Sequence, residues 1–378
     1  MTDGWIIPTQ IFDGGQLLDG KAVCIAGGQV TAVCGLADVP PDQPQRAVQG
    51  VLTPGFVDLQ VNGGGGMLFN QSPSLPGLMT IAAAHRRFGT VALMPTIITD
   101  APEVLAQAAQ AVVALRTLCG AAGLHIEGPH IAHARRGTHA AAHLRPFDDV
   151  TMQIVQGLRA ADVTVMMTLA PEVVPPDRIA ALVALGVIVS LGHSDADAGQ
   201  VGAAFAAGAR SVTHLYNAMS QMEGRAPGLV GAAINSDAYV GIICDGVHVA
   251  DEMVALACRA RPVCGRMVLV SDAMPTVGGP DHFDLYGQRI HLRDGRLVNP
   301  EGNLAGAHAT MLSGVQRLVA HVGLPLEEAL HMAITAPAAL LAKPHLGRVD
   351  GRFANDLFVL DTSLQIRPLS ANIRHDIA

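Results

Sequence analysis

A chain of 378 residues exceeds one small module and suits a large α/β barrel with an appendage, or two ordinary domains. Half the residues are hydrophobic, yet polar or charged residues interrupt every apolar run before the roughly 18 positions that a membrane-spanning helix needs. The net charge of −8 argues against nucleic acid as a partner, and Met1-Thr2-Asp3-Gly4-Trp5 lacks the basic and apolar regions of an export signal, so a cytoplasmic protein is expected.

The first fifty residues read as short strands and turns. Gly14-Gly15, Gly27-Gly28 and Pro40-Pro41-Asp42 punctuate β-rich pieces such as Ala22–Ala26 and Gln29–Cys34. The last stretch, from about 346 to 378, returns to the same pattern, with Gly347-Arg348-Val349, a turn at Asp350-Gly351, then Asp356–Leu360. Residues 1–50 and 346–378 together therefore predict a small β domain built from both ends of the chain.

Between them, residues 51–345 alternate apolar runs with Ala/Leu-rich stretches. The strand candidates are Gly55–Val61, Thr90–Pro95, Gly123–Ile126, Val163–Leu169, Val187–Leu191, Ser211–Thr213, Val240–Cys244 and Met267–Val270. Helix-like segments between them include Pro102–Leu118, Pro176–Leu185, Ala196–Ala207 and Ala250–Ala260. Eight near-continuous apolar strands alternating with helices predict an α/β fold of the (β/α)8 TIM-barrel type. An open doubly wound sheet is the alternative. An excursion at about 278–302, with hairpin-like pieces around Asp294-Gly295, either extends the small sheet or covers the barrel mouth.

Polar residues gather where these strands end: Asp58 to Asn62, His125 to Pro129, His193 to Asp195, His214 to Asn217, Asp245 to His248, and Ser271 to Met274. In a barrel such ends converge on one mouth, where active sites are built. Glu127, His193 and His214 offer one carboxylate and two imidazoles, a sound donor set for one divalent ion, with water completing the coordination. Asp272 is placed to move a proton, so metal-assisted hydrolysis is the chemistry implied. His125 shares the side of Glu127 and either packs beside the site or ligates; His130, His133 and His143 are expected to be structural or solvated. The six cysteines lack a short framework and read as reduced, mostly buried thiols, with Cys244 the only one beside polar candidates.

Pro54 to Gly63, His125-Ile126-Glu127-Gly128-Pro129, Gly137-Thr138-His139, Gly192-His193-Ser194, Thr213 to Met219, Asp245-Gly246-Val247-His248 and Ser271-Asp272-Ala273-Met274 occur in order along the chain. Together they resemble the N-acetylglucosamine-6-phosphate deacetylase family of the amidohydrolase superfamily. The resemblance implies removal of the acetyl group from an amino sugar phosphate, yielding glucosamine 6-phosphate and acetate. It makes Glu127, His193 and His214 the metal ligands and Asp272 the general base, then acid, with His139 polarising the substrate carbonyl. Asn217, the backbone at Ala218 and His248 are implied to hold the sugar phosphate, and Arg225 to reach a phosphate across a homodimer interface. Ala309-Thr310-Met311 falls where the family closes the pocket over the sugar, which makes Met311 a substrate contact.

Two departures narrow this expectation. Many amidohydrolases hold a second ion with His-x-His at the end of strand one, where this chain has Gln60-Val61-Asn62. Neutral amides are weak ligands, so one ion per subunit is expected, zinc first, with iron, manganese, cobalt or cadmium as substitutes. The only lysines, Lys21 and Lys343, lie off the candidate barrel strands, which excludes a carbamate-bridged pair of ions. Two other readings stand beside this one: the same reaction on N-acetylgalactosamine 6-phosphate or another N-acylated amino sugar phosphate, and a non-catalytic sugar-phosphate binder.

Overall fold

The computed structural model describes residues 3–115 and 121–369. Eight parallel strands follow one another around a single sheet: β1 (Phe56–Val61), β2 (Thr90–Ile98), β3 (Leu124–Glu127), β4 (Val165–Leu169), β5 (Ile188–Leu191), β6 (Ser211–Val212), β7 (Tyr239–Ile242) and β8 (Met267–Leu269). Every strand falls within or overlaps one of the eight expected runs, and each pairs with its sequence neighbour. The ring closes through a parallel bridge between Val61 and Ala273, where the Asn62 and Gly63 amides both donate to the Ala273 carbonyl at 2.9 Å. Closure rules out the open doubly wound sheet.

The helices that cover the barrel include α1 (Leu75–Arg86), α2 (Pro102–Leu115), α3 (Asp149–Ala160), α4 (Pro176–Ala184), α5 (Ala198–Ala206), α6 (Gly228–Ile234), α7 (Asp251–Ala260) and α8 (Met311–Arg317). Local chemistry starts several of them. Ser74 accepts from the Gly77 amide at the head of α1, Asp148 from the Thr151 amide at the head of α3, and Asp197 forms a reciprocal cap with Gln200 on α5. Both faces of the barrel strands are apolar: Phe56 and Val61 join one buried cluster, Val57 and Leu59 a second. The hydrophobic excess of the composition thus lies between strands and helices, and no described helix is long and apolar enough to cross a membrane.

A seven-stranded sheet combines both ends of the chain. Its order is Ile366–Pro368, Leu357–Leu360, Gln45–Pro54, Gly4–Asp13, Lys21–Ala26 and Gln29–Gly35, with Gln16–Asp19 pairing on Gly4–Asp13. Gly27-Gly28, both at positive φ, make the two-residue hairpin between Ala26 and Gln29. The strand Gln45–Pro54 runs almost directly into β1, so this sheet joins the barrel at the N-terminal end of that strand. One local expectation fails here. Gly347 to Val349 do not form a strand; a 3-10 turn over Pro344–Gly347 leads into an extended link whose Val349 amide donates to Asp13.

The excursion after β8 is a cover and not an extension of the small sheet. It forms its own antiparallel sheet from His282–Leu285, Gln288–Arg293 and Arg296–Leu297, packed around Phe283, Leu285, Ile290 and Leu297 together with Met274 and Ile98 of the barrel. The expected turn at Asp294-Gly295 is present, and the sheet has a second one at Tyr286-Gly287 that no Gly/Asp pair marks in the sequence.

Among the described cysteines all are free, but the expectation of mostly buried thiols is wrong: only Cys244 is buried, Cys24, Cys34 and Cys258 are half-buried, and Cys264 is exposed. Cys119 lies outside the described residues. Burial pushes the Cys244 thiol up to about 12, which removes it as a nucleophile at neutral pH.

Barrel closure also depends on Asp58 in β1. It is fully buried and accepts from the Gln60 amide and from the amide and hydroxyl of Ser271, just beyond β8. Burial pushes its carboxyl up to about 7, against the opposing pull of those hydrogen bonds. An unfolded aspartate ionises near pH 4, so between about pH 4 and 7 the folded state binds more protons. The stability from this group is therefore fully present below about pH 4 and is lost as pH rises through about 7. Asp58→Asn keeps an acceptor for both amides and cannot ionise. Scanning calorimetry should show its Tm gaining a few degrees on the wild type between pH 5 and pH 8; an offset that is the same at both pH values would refute the linkage.

Candidate active site

The mouth of the barrel holds a cavity of about 400 Å³ lined by Asn62, Glu127, His139, His193, His214, Asn217, Ala218, His248 and Asp272, and by residues of the 134–138 and 302–306 segments. Strand geometry explains the convergence. Glu127 is the last residue of β3, while His193, His214 and Asp272 follow β5, β6 and β8 by two or three positions. Four residues here, His193, Tyr216, Ala218 and Asp272, have left-handed backbone with φ of 48°, 76°, 48° and 50°. Non-glycine residues adopt this only where surrounding contacts impose it. At Asp272 the Ala307 amide supplies such a contact by donating to its carbonyl, and at Ala218 the carbonyl accepts from Ser194.

Glu127 Oε1 lies 3.2 Å from His214 Nε2 and 3.5 Å from His193 Nε2, and the two imidazole nitrogens are 3.0 Å apart. Donors on a tetrahedral ion with bonds of about 2.1 Å are separated by roughly 3.4 Å, so the triangle has the dimensions such an ion requires. Three basic atoms this close also repel unless positive charge lies among them. His193 Nδ1 is 2.9 Å from the Arg135 carbonyl, which fixes its proton on that side and leaves Nε2 free toward the triangle. His139 adjoins the same space: donor atoms of Glu127, His139 and His193 all lie within 4.8 Å of one another. Its other nitrogen, Nδ1, is held 2.7 Å from Thr99 Oγ1.

Gln60 and Asn62 face the two carboxylates. Gln60 Nε2 donates to Glu127 Oε1 at 2.8 Å and to Asp272 Oδ1 at 3.1 Å, while its carbonyl accepts from Thr213 at 2.9 Å. Asn62 Nδ2 donates to Asp272 Oδ1 at 2.7 Å. The amide protons of Gln60 and Asn62 therefore face Glu127 Oε1 and Asp272 Oδ1. Lys343, for its part, donates to the Ala122 carbonyl before β3, at the end of the barrel away from the mouth.

These neighbours set the charge states. Burial raises the Asp272 carboxyl to about 6, helped by the Glu127 charge and opposed by the nearby imidazoles and Asn62. Burial would raise Glu127 as well, but the neighbouring imidazoles of His193 and His214 outweigh it and hold the carboxyl well below its usual range. His214 is pulled up by Glu127 against its own burial. His139 is driven well below its ordinary value by burial and by His193, so it is neutral near pH 7.

The remaining expected residues fall into two groups. His248 lines the cavity, with Nδ1 2.7 Å from Asp245 Oδ2, and Asn217 and Ala218 line it beside His214. Arg225 and Met311 do not line it. Arg225 is exposed on the loop between β6 and α6. Met311 is fully buried in the core, because the Thr310 cap starts α8 there and turns the side chain inward. Met274, Gly302, Asn303, Leu304 and Gly306 line the cavity in its place.

His125 packs and does not ligate: its two ring nitrogens face Thr96 and Thr168, and burial drives it to about 4. His130 is likewise held by the Arg145 carbonyl and Thr151, and His143 faces Asp100 at 3.8 Å. Three residues that serve the site were given no role from the sequence: Asp245, which was quoted only as part of a strand end and motif, and Thr99 and Arg135, which were not singled out at all. Asp245 is marked there by its place three residues before His248; nothing local marks the other two.

The sequence profile of the Amidohydrolase family matches residues 51–376, and the chain belongs to that family and is a hydrolase. Within it, an N-acetylgalactosamine-6-phosphate deacetylase of Shewanella sp. (strain ANA-3) is 40% identical, covering 96% of this chain and 92% of that protein. The N-acetylglucosamine-6-phosphate deacetylase of Haemophilus influenzae is 34% identical over 93% of each chain. The crystal structure of N-acetylglucosamine-6-phosphate deacetylase from Pasteurella multocida superposes with a TM-score of 0.90, at 33% identity and over 97% of each chain.

Proposed function

We propose that this protein hydrolyses the acetamide of N-acetyl-D-glucosamine 6-phosphate to D-glucosamine 6-phosphate and acetate. The observation that carries the reading is the triangle of Glu127, His193 and His214 beside Asp272, whose carboxylate is held by Gln60 and Asn62. The sequence relatives named above support the substrate class.

One divalent ion, zinc first among the candidates, would be held by Glu127, His193 and His214 and would supply the Lewis acidity that activates water and the acetamide carbonyl. Asp272 takes a proton from the attacking water as the new C–O bond forms, then delivers it to nitrogen as the C–N bond breaks. With Oδ1 engaged by two amides, Oδ2 is the oxygen available for that transfer. His139 donates from Nε2 to the carbonyl oxygen, its Nδ1 accepting from Thr99. Asn217, the Ala218 backbone and His248, oriented by Asp245, hold the sugar phosphate. Arg225 serves the site of the second copy in a homodimer, which fits its exposure and its distance from its own cavity.

A second reading, the galacto epimer, is favoured by the higher identity to the Shewanella relative. The test is acetate release from both N-acetylated epimers, each with and without the 6-phosphate. The phosphorylated gluco sugar should give the highest kcat/KM, and both unphosphorylated sugars should be poor. A higher value for the galacto sugar would transfer the assignment to that epimer. Tight binding without acetate release from any of the four would replace both readings by a sugar-phosphate binder.

A further inference from the structure

We propose that Tyr286, at the tip of the cover sheet, is a positioning residue for His139 and acts on it through Thr99. The proposal rests on the role given to His139 above. His139 belongs to a segment of turns and short 3-10 pieces between β3 and α3, so no barrel strand fixes its backbone. Its imidazole is nonetheless almost fully buried, with its ring 4.4 Å from that of His193.

Hydrogen bonds from two other segments hold it. Thr99 follows β2 immediately and presents its hydroxyl to His139 Nδ1 at 2.7 Å. The Thr99 carbonyl in turn accepts from the Tyr286 phenol at 2.5 Å. One hydroxyl from the cover thus anchors the Thr99 segment, whose own hydroxyl holds His139.

Two further contacts from the cover reach the same stretch. Glu301 pairs with Arg136 at 2.7 Å, and Arg136 donates to the His139 carbonyl at 3.1 Å; Asn299 faces Thr138 at 3.4 Å. Tyr286 has φ of 49° in a two-residue hairpin turn, a position that Asn, Asp or Gly fills without strain. A bulky aromatic there needs a compensating contact, and the hydroxyl provides one by donating to the Thr99 carbonyl although the residue itself is exposed.

The bond to Thr99 matters for tautomer as well as position. A histidine that donates from Nε2 must accept at Nδ1, so the Thr99 hydroxyl has to donate. Weakening the Tyr286 anchor frees the Thr99 segment, and the imidazole loses its fixed orientation.

The test is a double-mutant cycle with the holoenzyme. Tyr286→Phe removes only the hydroxyl, and should lower kcat about tenfold, the effect of losing one neutral hydrogen bond, with KM within about twofold and metal content unchanged. Thr99→Val should do the same, and Thr99→Ser should restore the rate. In a His139→Ala background, Tyr286→Phe should have no further effect. Wild-type kcat in Tyr286→Phe, or a loss that persists in the His139→Ala background, would overturn the proposal. Nitrogen NMR of the His139 ring, without substrate, separates this from the functional reading. A change of tautomer population in Tyr286→Phe supports the positioning role even if no sugar phosphate is turned over, and an unchanged ring in both Tyr286→Phe and Thr99→Val refutes it.

Discussion

Asp272→Asn should keep the metal content of the native protein and lose at least about 10²-fold in kcat, the lower range for removing a general acid–base group. The substitution preserves shape and leaves an oxygen to accept from Gln60 and Asn62, so little in the surrounding structure has to move. What disappears is the ability to take a proton from water and return it to the leaving nitrogen. KM should change much less than kcat, because the carboxylate acts on the reacting atoms. The pH profile gives a second reading of the same group. The base works when ionised, and burial places its carboxyl at about 6, a value that a cation in the same cavity can only lower. The acid limb of kcat/KM should therefore fall at or below about pH 6. Wild-type turnover in the variant would remove Asp272 from the chemistry.

His214→Ala should empty the metal site. It deletes one corner of the triangle, and the remaining pair, Glu127 and His193, lie 3.5 Å apart with Gln60 already occupying one carboxylate oxygen. Loss of a group that merely orients a ligand costs 10- to 100-fold, so loss of a ligand should cost more than about 10²-fold in affinity or activity. Elemental analysis should find close to one divalent ion per wild-type subunit and far less in the variant, with acetate release falling in parallel. Chelation of the wild type should be reversed by added zinc, whereas the variant should not recover. A variant that retained its ion would move the ligand set toward His139, which stands within reach of Glu127 and His193.

The barrel was legible because parallel strands buried on both faces leave continuous apolar runs, and all eight were marked that way. Its polar ends were legible for the complementary reason: residues such as His193 and Asp272 interrupt apolar sequence where a helix cap or turn would not call for them. Side-chain direction was not legible. The family resemblance made Met311 a pocket residue, yet a Thr310 cap one position earlier turned it into the core. The cover sheet was visible as an excursion, but its grip on the 136–140 stretch depends on pairs such as Glu301 and Arg136, 165 positions apart. His125 shows the same limit: only the structure reveals that Thr96 and Thr168 take both of its nitrogens.

The placement of the two lysines has a practical consequence. Lys343 is tied to the Ala122 carbonyl at the far end of the barrel, Lys21 sits in the small sheet, and neither lines the cavity. Coupling reagents that attack side-chain amines have just these two targets. Attachment to a resin or surface through them would modify no residue that lines the mouth cavity.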